Sequence, residues 1–432
     1  MAWTSSVVGA ALLLGACGPA AVDTIRPGGD RAAVGLHVGA GDRVVASTGV
    51  DVAPVVAATW TLGLAALGAA APGDGAVVSP SSLYVALSML ADGSSGAGLA
   101  LTETALGARG DARRDALVAL RDSLAAYDGD PALVGEDELP ERPVLHQASQ
   151  LVVDDDRTAS EAYLDTLWQV YGAGVLRTDL ATEAGFAPVH AWVSEHTGGL
   201  VERSAIAPNA ELVAVLQDAV ALAARWEQAF AGPTSDEPFH LADGTTADVP
   251  TMHGDVTAAT TQVDGWQAVR LRYATSDGPG LHADLLLPPE GTDLRRPDRV
   301  VLERLTAGRD VAVPDLVELQ VPRLDLTTRT DLSEALRAAG LGHVMSSETS
   351  GIDRVLEPGV PPLFVGTAVQ QAVLQLDEDG TRAAALTELG MEAVSAPAEP
   401  LVALHVDRPF LLVVADSTTG WPVFLAAVDD PS

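Results

Sequence analysis

The pattern of hydrophobic residues changes along the chain, from helical spacing in the first half to alternation and continuous apolar runs in the second. Trp60 and Leu64 lie four positions apart in an apolar stretch, which predicts a helix over Val55–Leu67. A Ser-Pro pair at Ser79 and Pro80 is typical of a helix start and predicts a second helix that ends at Leu90. The other predicted helices cover Leu117–Tyr127, Ser160–Tyr171, Ala187–Leu200 and Asp331–Leu341.

Strands are predicted where apolar residues alternate with polar ones, or run together, between turn residues. Ser417–Gly420 separates the last two apolar runs and predicts a C-terminal hairpin, whereas Glu211–Ala224 fits either a buried helix or a buried strand. The other predicted strands are a short β-branched strand just before Ser79, Leu145–Val153, Trp266–Tyr273, Leu281–Gly291, Leu316–Leu326 and Pro362–Glu378. Because helices lead and strands finish, we expect an α+β fold in one domain, placed at residues 54–432.

Composition and motifs narrow the possible partners and reactions. The 59 acidic residues outnumber 25 basic residues, all of them Arg, and give a net charge of −34. Such a surface repels polyanions, so neither nucleic acid nor a heparin-like polysaccharide is an expected partner. The sequence contains no H-E-x-x-H, G-x-S-x-G or G-x-G-x-x-G motif. We therefore expect a protein that is not an enzyme and that holds neither a metal nor a cofactor.

The N-terminus is typical of an exported protein. An apolar run from Val7 to Leu14 leads into the letters LGAC, which end at Cys17 and resemble the lipobox of bacterial lipoprotein signal peptides. The resemblance implies a signal peptide at residues 1–16 and a lipidated Cys17 that anchors the protein at the bacterial cell surface or in the periplasm. Residues 17–53 are expected to form a flexible tether. The leader has no basic residue, and a secretory signal without lipidation is the alternative.

One segment near the C-terminus fits no common local conformation. It reads LDEDGTRAAALTELGMEAVSAPAEP from Leu376 to Pro400, with helix-favouring residues between an Asp-Gly turn and a proline-rich end. Counted in twos from Thr381, one set of alternate residues is small and uncharged before it reaches Leu389 and Met391. Alternate side chains of a strand point to opposite faces. The segment can therefore form a half-buried strand or an exposed loop, and a surface helix is the alternative.

Six short motifs, taken in their order along the chain, resemble the serpin family from about Val55 to the C-terminus. They are VVSPSSLYVALSML, AWVSEHTGGLV, RWEQAF, VPRLDL, DEDGTRAAA and LHVDRPFLLVV. The resemblance implies the serpin fold, which has three β-sheets, eight or nine helices and an exposed reactive-centre loop.

The resemblance implies an inhibitor of extracellular serine proteases that acts as a suicide substrate. The protease cleaves the loop and is held as a covalent acyl complex, while the loop inserts into the main sheet. The inhibitor is expected to be a secreted monomer that contacts a membrane only through its lipid. A serpin-fold protein that binds or carries a ligand without inhibiting proteases is the alternative, and so is a passive surface lipoprotein outside the family.

The resemblance also assigns site residues to four regions. These are the hinge of the loop, with Glu378, Gly380, Thr381, Ala383, Ala384 and Ala385; the breach at the top of the main sheet, with Trp226 and Arg323; the shutter beneath that sheet, with Ser79, Ser82, Asp218 and Gln370; and the reactive bond between Val394 and Ser395. A small aliphatic residue before the cut indicates an elastase-like or subtilisin-like target. Cleavage after Met391, Glu392 or Ala393 is the alternative.

Two positions in these regions depart from the family pattern. Asp218 stands where the family has Asn, and Gln370 stands where it has His. A hydrogen bond between the two side chains would replace the one that the family makes. At the base of the loop, Glu378 and Arg323 match a family salt bridge, but an ordinary surface ion pair would explain them equally well.

Overall fold

A computed structural model of the chain describes residues 36–71, 73, 75–275, 280–358, 362–381 and 402–432. Within these ranges, no helix is long and apolar enough to cross a membrane. The secondary structure mixes helices and strands, with most helices before the middle of the chain. The prediction of an α+β fold is confirmed.

Five of the eight described α-helices begin at a side-chain cap or a proline. Ser79 accepts a hydrogen bond from the backbone N–H of Ser82 and is followed by Pro80, so the second helix starts as predicted. The α-helices among the described residues are α1 (Ala53–Ala69), α2 (Pro80–Asp92), α3 (Gly96–Ala105), α4 (Gly110–Leu124), α5 (Glu161–Thr166), α6 (Glu183–His196), α7 (Arg299–Val311) and α8 (Ser333–Ala338).

The strands follow the apolar runs, and the segment that fitted either a helix or a strand is a strand. The strands are β1 (Leu36–His37), β2 (Gly75–Val78), β3 (Val144–Asp154), β4 (Gly174–Thr178), β5 (Ala214–Arg225), β6 (Ser235–His240), β7 (Thr246–Val263), β8 (Trp266–Arg272), β9 (Leu281–Leu287), β10 (Asp315–Pro322), β11 (Leu324–Asp331), β12 (Val369–Leu376), β13 (Gly380–Thr381), β14 (Val402–His405), β15 (Phe410–Asp416) and β16 (Pro422–Val428).

The strands form a seven-stranded sheet, which we call sheet A, and a nine-stranded sheet. Sheet A has the order β1-β4-β3-β5-β13-β12-β11. The nine-stranded sheet has the order β14-β10-β7-β8-β9-β15-β16-β2, with β6 paired to β7. Three sheets were expected. Strand pairing joins two of them because β7, with 18 residues, is long enough to pair with both β10 and β8.

The core lies where α1, α2 and the strands β9, β15 and β16 meet. Every residue of those three strands is buried, which fits strands covered on both faces. Helix α2 contacts both β5 and β16, so it lies between sheet A and the hairpin. On the other side of sheet A, Phe186 and Val189 of α6 pack against Val152 and Val215. Sheet A is therefore covered on both faces.

The segment expected to be a tether contacts the body over the part that the structure describes. Leu36 and His37 pair with Leu176 and Val175 and add β1 to the edge of sheet A. The indole N–H of Trp168 donates to the carbonyl of Gly41 (3.0 Å). These strand pairings and this hydrogen bond hold the described part of the segment against the domain.

Candidate functional site

Sheet A has an opening between two of its central strands. β5 and β12 run parallel to each other, and the two-residue β13 lies between them at their upper ends. Below β13, a cleft of about 180 Å³ lies between Leu216–Leu222 on one side and Val369–Gln375 on the other. Within the described residues, the edges of β5 and β12 that face this cleft pair only with β13. Unpaired strand edges accept a further strand readily.

The hinge residues Gly380 and Thr381 already occupy the top of this opening. Gly380 pairs with Arg225 and Thr381 with Ala224, and Thr381 pairs on its other side with Leu376. A Cβ on Gly380 would lie 2.1 Å from the carbonyl oxygen of Ala224, so only glycine fits at this position. Thr381, the first residue of the set expected to face inward, is 2% exposed.

Two aromatic residues at the breach contact the hinge. The Trp226 ring stacks on the Tyr273 ring, with centroids 4.7 Å apart and planes 9° apart. The indole N–H of Trp226 donates to the backbone carbonyl of Asp377 (3.0 Å). The backbone N–H of Trp226 donates to the backbone carbonyl of Asp379 (2.8 Å). Trp226 therefore fixes the turn that leads into β13.

Glu378 joins the base of the loop to the end of the neighbouring strand. Its carboxylate accepts from Arg323 Nε (2.9 and 3.0 Å) and Nη2 (2.7 Å), and also from the hydroxyl of Thr234. Burial alone would raise the pKa of Glu378, but the hydrogen bonds from Thr234 and Arg323 outweigh it and hold the pKa below its ordinary value. The Glu378 side chain is 12% exposed, against 48% for Arg323, so the pair is half-buried.

The shutter residues form the floor of the cleft, and Gln370 is bonded to the start of α2. Its side-chain oxygen accepts from the backbone N–H of Ser79 (3.0 Å), and its Nε2 donates to the carbonyl of the same residue (2.9 Å). The Ser79 hydroxyl donates to the carbonyl of Val423 (2.9 Å). Gln370 therefore connects β12 to the helix that lies beneath sheet A.

Asp218 is a further polar group of this floor, and one of its oxygens has no partner among the described residues. Its Oδ1 accepts from the hydroxyl of Ser149 (2.5 Å), while its backbone carbonyl accepts from the Ser82 hydroxyl (3.2 Å). The buried Oδ2 makes no hydrogen bond with any residue that the structure describes. Burial raises the pKa of Asp218 to about 7, and this effect outweighs the hydrogen bond from Ser149 and the nearby charge of Arg121.

The expected hydrogen bond between Asp218 and Gln370 is wrong. Asp218 bonds to Ser149 and Gln370 bonds to Ser79, so each side chain is held by its own side of the cleft. The physical reason is the opening itself, because β5 and β12 are not neighbours at this level.

Several predicted site residues lie outside the described residues. They are the later hinge residues Ala383, Ala384 and Ala385, the reactive bond between Val394 and Ser395, and Cys17. The described hinge and breach residues lie at the top of the opening, and the shutter residues line the cleft below it.

Sequence reasoning missed the contacts that hold these residues. Tyr273 was assigned only to the end of a predicted strand, yet its hydroxyl lies 2.6 Å from that of Thr381. Thr234 and Ser149, the partners of Glu378 and Asp218, belong to no motif. No local signal could have found them, because each contact joins positions more than 60 residues apart.

Comparison with known proteins agrees with this geometry. The family model described as "Serpin (serine protease inhibitor)" matches residues 63–431. Serpin-ZXA of Oryza sativa subsp. japonica is 27% identical over 372 residues, which cover 83% of this chain and 91% of the relative. This chain belongs to the serpin family.

Solved structures show the same fold. The native state of the thermophilic serpin tengpin superposes with a TM-score of 0.72 at 18% identity, over 91% of this chain and 97% of that one. Arabidopsis AtSerpin1, in a conformation described as native and stressed, superposes with a TM-score of 0.71 at 21% identity, over 89% and 100% of the two chains. The expected serpin fold is confirmed.

Proposed function

We propose that this protein inhibits extracellular serine proteases as a suicide substrate. A protease would cleave the loop after Val394, and the residues after Thr381 would then enter sheet A between β5 and β12. The observation that carries the proposal is β13: both of its residues are already paired in place, with an open cleft below them.

The pairing of β13 predicts where the following residues would lie. Continued from Thr381 in the same register, Ala383 would lie between Leu222 and Leu374, and Ala385 between Val220 and Ala372. Small side chains suit these positions, because an interior packed to crystal density accepts a bulky or charged group only at a cost.

Thr387 would reach the floor of the cleft in that register, between Asp218 and Gln370. Its hydroxyl could donate to the unpartnered Oδ2 of Asp218. Asp218 and Gln370 do not bond to each other in the open cleft, but each would then contact the inserted strand. The departures at Asp218 and Gln370 are therefore compatible with insertion.

Completion of the sheet supplies the driving force for the trap. Each new backbone hydrogen bond contributes about 0.5–1.5 kcal/mol net. Burial of Leu389 and Met391 would add about 1.5–3 kcal/mol each. A strand of about a dozen residues would therefore release on the order of 10 kcal/mol, comparable with the stability of an ordinary domain. The intact form would be held by a kinetic barrier.

The chemistry would be that of an interrupted acyl transfer. The protease serine Oγ attacks the carbonyl carbon of Val394, and its proton passes through the protease histidine to the departing amine of Ser395. The bond between the two residues breaks, and an ester joins Val394 to the protease. Insertion would carry that ester along sheet A before water hydrolyses it, so the protease would stay attached.

The test is incubation with pancreatic elastase and with subtilisin, followed by denaturing electrophoresis. We expect a covalent band that contains both proteins. Thr381→Arg is the matched control: it should be cleaved without forming the band, because a charge would have to occupy a position that is 2% exposed. Complete cleavage of the unaltered protein with no such band at any ratio would instead favour a non-inhibitory binding or carrier protein.

We also propose that Cys17 is lipidated and places the inhibitor at the bacterial cell surface or in the periplasm. The support is the lipobox-like sequence that ends at Cys17, the only cysteine of the chain. Cys17→Ser should move the protein from the membrane fraction to the soluble fraction of cells that express it. An unchanged membrane fraction would reject the anchor.

A further inference from the structure

Tyr273 is held rigidly at the top of the opening in sheet A. It follows directly after β8, forms a bridge with Trp226, and stacks its ring on the Trp226 ring. Its backbone N–H donates to the carbonyl of Leu281 (3.2 Å), and the residue is 1% exposed. With backbone and ring both fixed, the hydroxyl points at one place in the cleft.

That place is occupied by Thr381. The Tyr273 hydroxyl oxygen lies 2.6 Å from Thr381 Oγ1, and Thr381 is 2% exposed. Burial raises the pKa of Tyr273, so its hydroxyl stays protonated and able to donate. A buried hydroxyl without a hydrogen-bond partner lowers the stability of the fold. The Tyr273 and Thr381 hydroxyls therefore each satisfy the hydrogen bonding of the other.

The order of residues after Thr381 determines what a change of register would do. A shift by one residue exchanges the two faces of a strand, and it would place Arg382 where Thr381 lies. A charge in that buried position is strongly disfavoured. A shift by two residues keeps the faces, so the side-chain pattern of the loop does not exclude it.

The hydroxyl of Tyr273 distinguishes the correct register from the two-residue shift. After that shift, Ala383 would face Tyr273, and alanine offers no hydrogen-bonding group. We propose that Tyr273 is a positioning residue that sets the register in which the cleaved loop enters sheet A. This inference rests on the proposed inhibitory function.

A shifted register has a consequence for inhibition. Each strand residue spans about 3.3 Å, so a loop that enters two residues late would carry the protease about 7 Å less far. A protease that is carried less far retains more of its active-site geometry and hydrolyses the ester. Loss of the Tyr273 hydroxyl would therefore turn part of the inhibitor into a substrate.

Engineered disulfides can show directly in which register the cleaved loop has entered sheet A. In a Cys17→Ser background the chain has no other cysteine. Ala385→Cys combined with Val220→Cys would form a cross-link in the correct register, whereas Ala385→Cys combined with Leu222→Cys would do so only after the two-residue shift. Each pair is cleaved with elastase under mild oxidation, and the cross-linked peptides are counted by mass spectrometry.

When Tyr273 is present, we expect the first cysteine pair to yield at least about tenfold more cross-linked peptide than the second. A tenfold ratio corresponds to a free-energy difference of about 1.4 kcal/mol between the two registers. Tyr273→Phe should bring the ratio near one and raise the number of inhibitor molecules consumed per protease. Thr381→Ala should do the same, while Thr381→Ser should restore the preference because it keeps the hydroxyl.

Tyr163→Phe is the matched control. Tyr163 is also buried and donates to a backbone carbonyl, that of Met89 (2.8 Å), away from the opening. It should leave the ratio unchanged. A Tyr273→Phe protein that folds, inserts and keeps the tenfold preference would overturn the inference and leave the proposed function standing. If neither pair cross-links after cleavage of the unaltered protein, no insertion occurs, and both proposals fall.

Discussion

Asp218 shows how a single substitution sets the properties of the cleft floor. An Asn at this position, as in the family pattern, would be neutral at every pH. Asp218 instead has a buried oxygen that bonds to none of the described residues, and burial raises its pKa to about 7. Near neutral pH, a proton is therefore exchanged at the point where the inserted strand would have to pass.

The pH dependence of stability follows from the direction of this shift. Because the folded-state pKa lies above the unfolded value, Asp218 contributes most stability at low pH and loses it as the pH rises toward 7. Between pH 5 and pH 8, the unaltered protein should lose roughly 1–3 kcal/mol relative to Asp218→Asn. Thermal midpoints of both proteins across this range would measure the difference. Parallel curves would show that Asp218 ionises normally.

At the scale of the elements, strong periodicity was sufficient to predict most helices and the long apolar strands. The segment that became β5 stayed ambiguous because α2 covers one face and α6 the other, and a strand buried on both faces does not alternate. The sequence pattern does not predict α7, where the buried apolar residues among the described ones are Leu302 and Leu305 and the other positions include five charged side chains.

The sequence alone did not decide whether β13 would be a half-buried strand, part of an exposed loop or part of a surface helix. β13 has two residues, and its partners Ala224, Arg225 and Leu376 come from two other strands of sheet A. The sequence pattern indicated that Thr381 and its alternate residues would face inward. The contacts with Tyr273 and Trp226, however, depend on the assembled sheet. The predicted site residues that the structure describes are therefore brought together around the opening, while the groups that hold them were found only in the structure.

The link between Glu378 and Arg323 connects the loop base to the turn between β10 and β11. Glu378→Gln should loosen this link and lower stability at pH 7 by about 1 kcal/mol, a modest effect because Arg323 is half-exposed. The folded-state pKa of Glu378 is lowered, so its contribution is present above its ordinary pKa and is lost on acidification. The thermal midpoints of the two proteins should therefore differ at pH 7 and converge near pH 3. A difference that persists at pH 3 would assign the effect to packing.

For the whole molecule, the decisive question is whether the intact form is the less stable one. Among the residues that the structure describes, the opening in sheet A leaves two strand edges without partners below β13. The chain itself carries the small-residue segment that would fill them. Insertion would convert an unpaired edge into a continuous ladder. Cleavage should therefore release the molecule into a more stable form, whereas a nick in an exposed loop of an ordinary protein adds no stability.

The corresponding prediction is that elastase-nicked protein melts on the order of 20 °C above the intact protein, as about 10 kcal/mol of added stability implies for a domain of this size. Nicked Thr381→Arg is the control and should show no rise, since its loop cannot pass the buried hinge position. Both forms are measured by calorimetry on the same preparation. Equal midpoints for intact and nicked protein would mean that cutting the loop releases no stored free energy, and a serpin fold without that release cannot trap a protease.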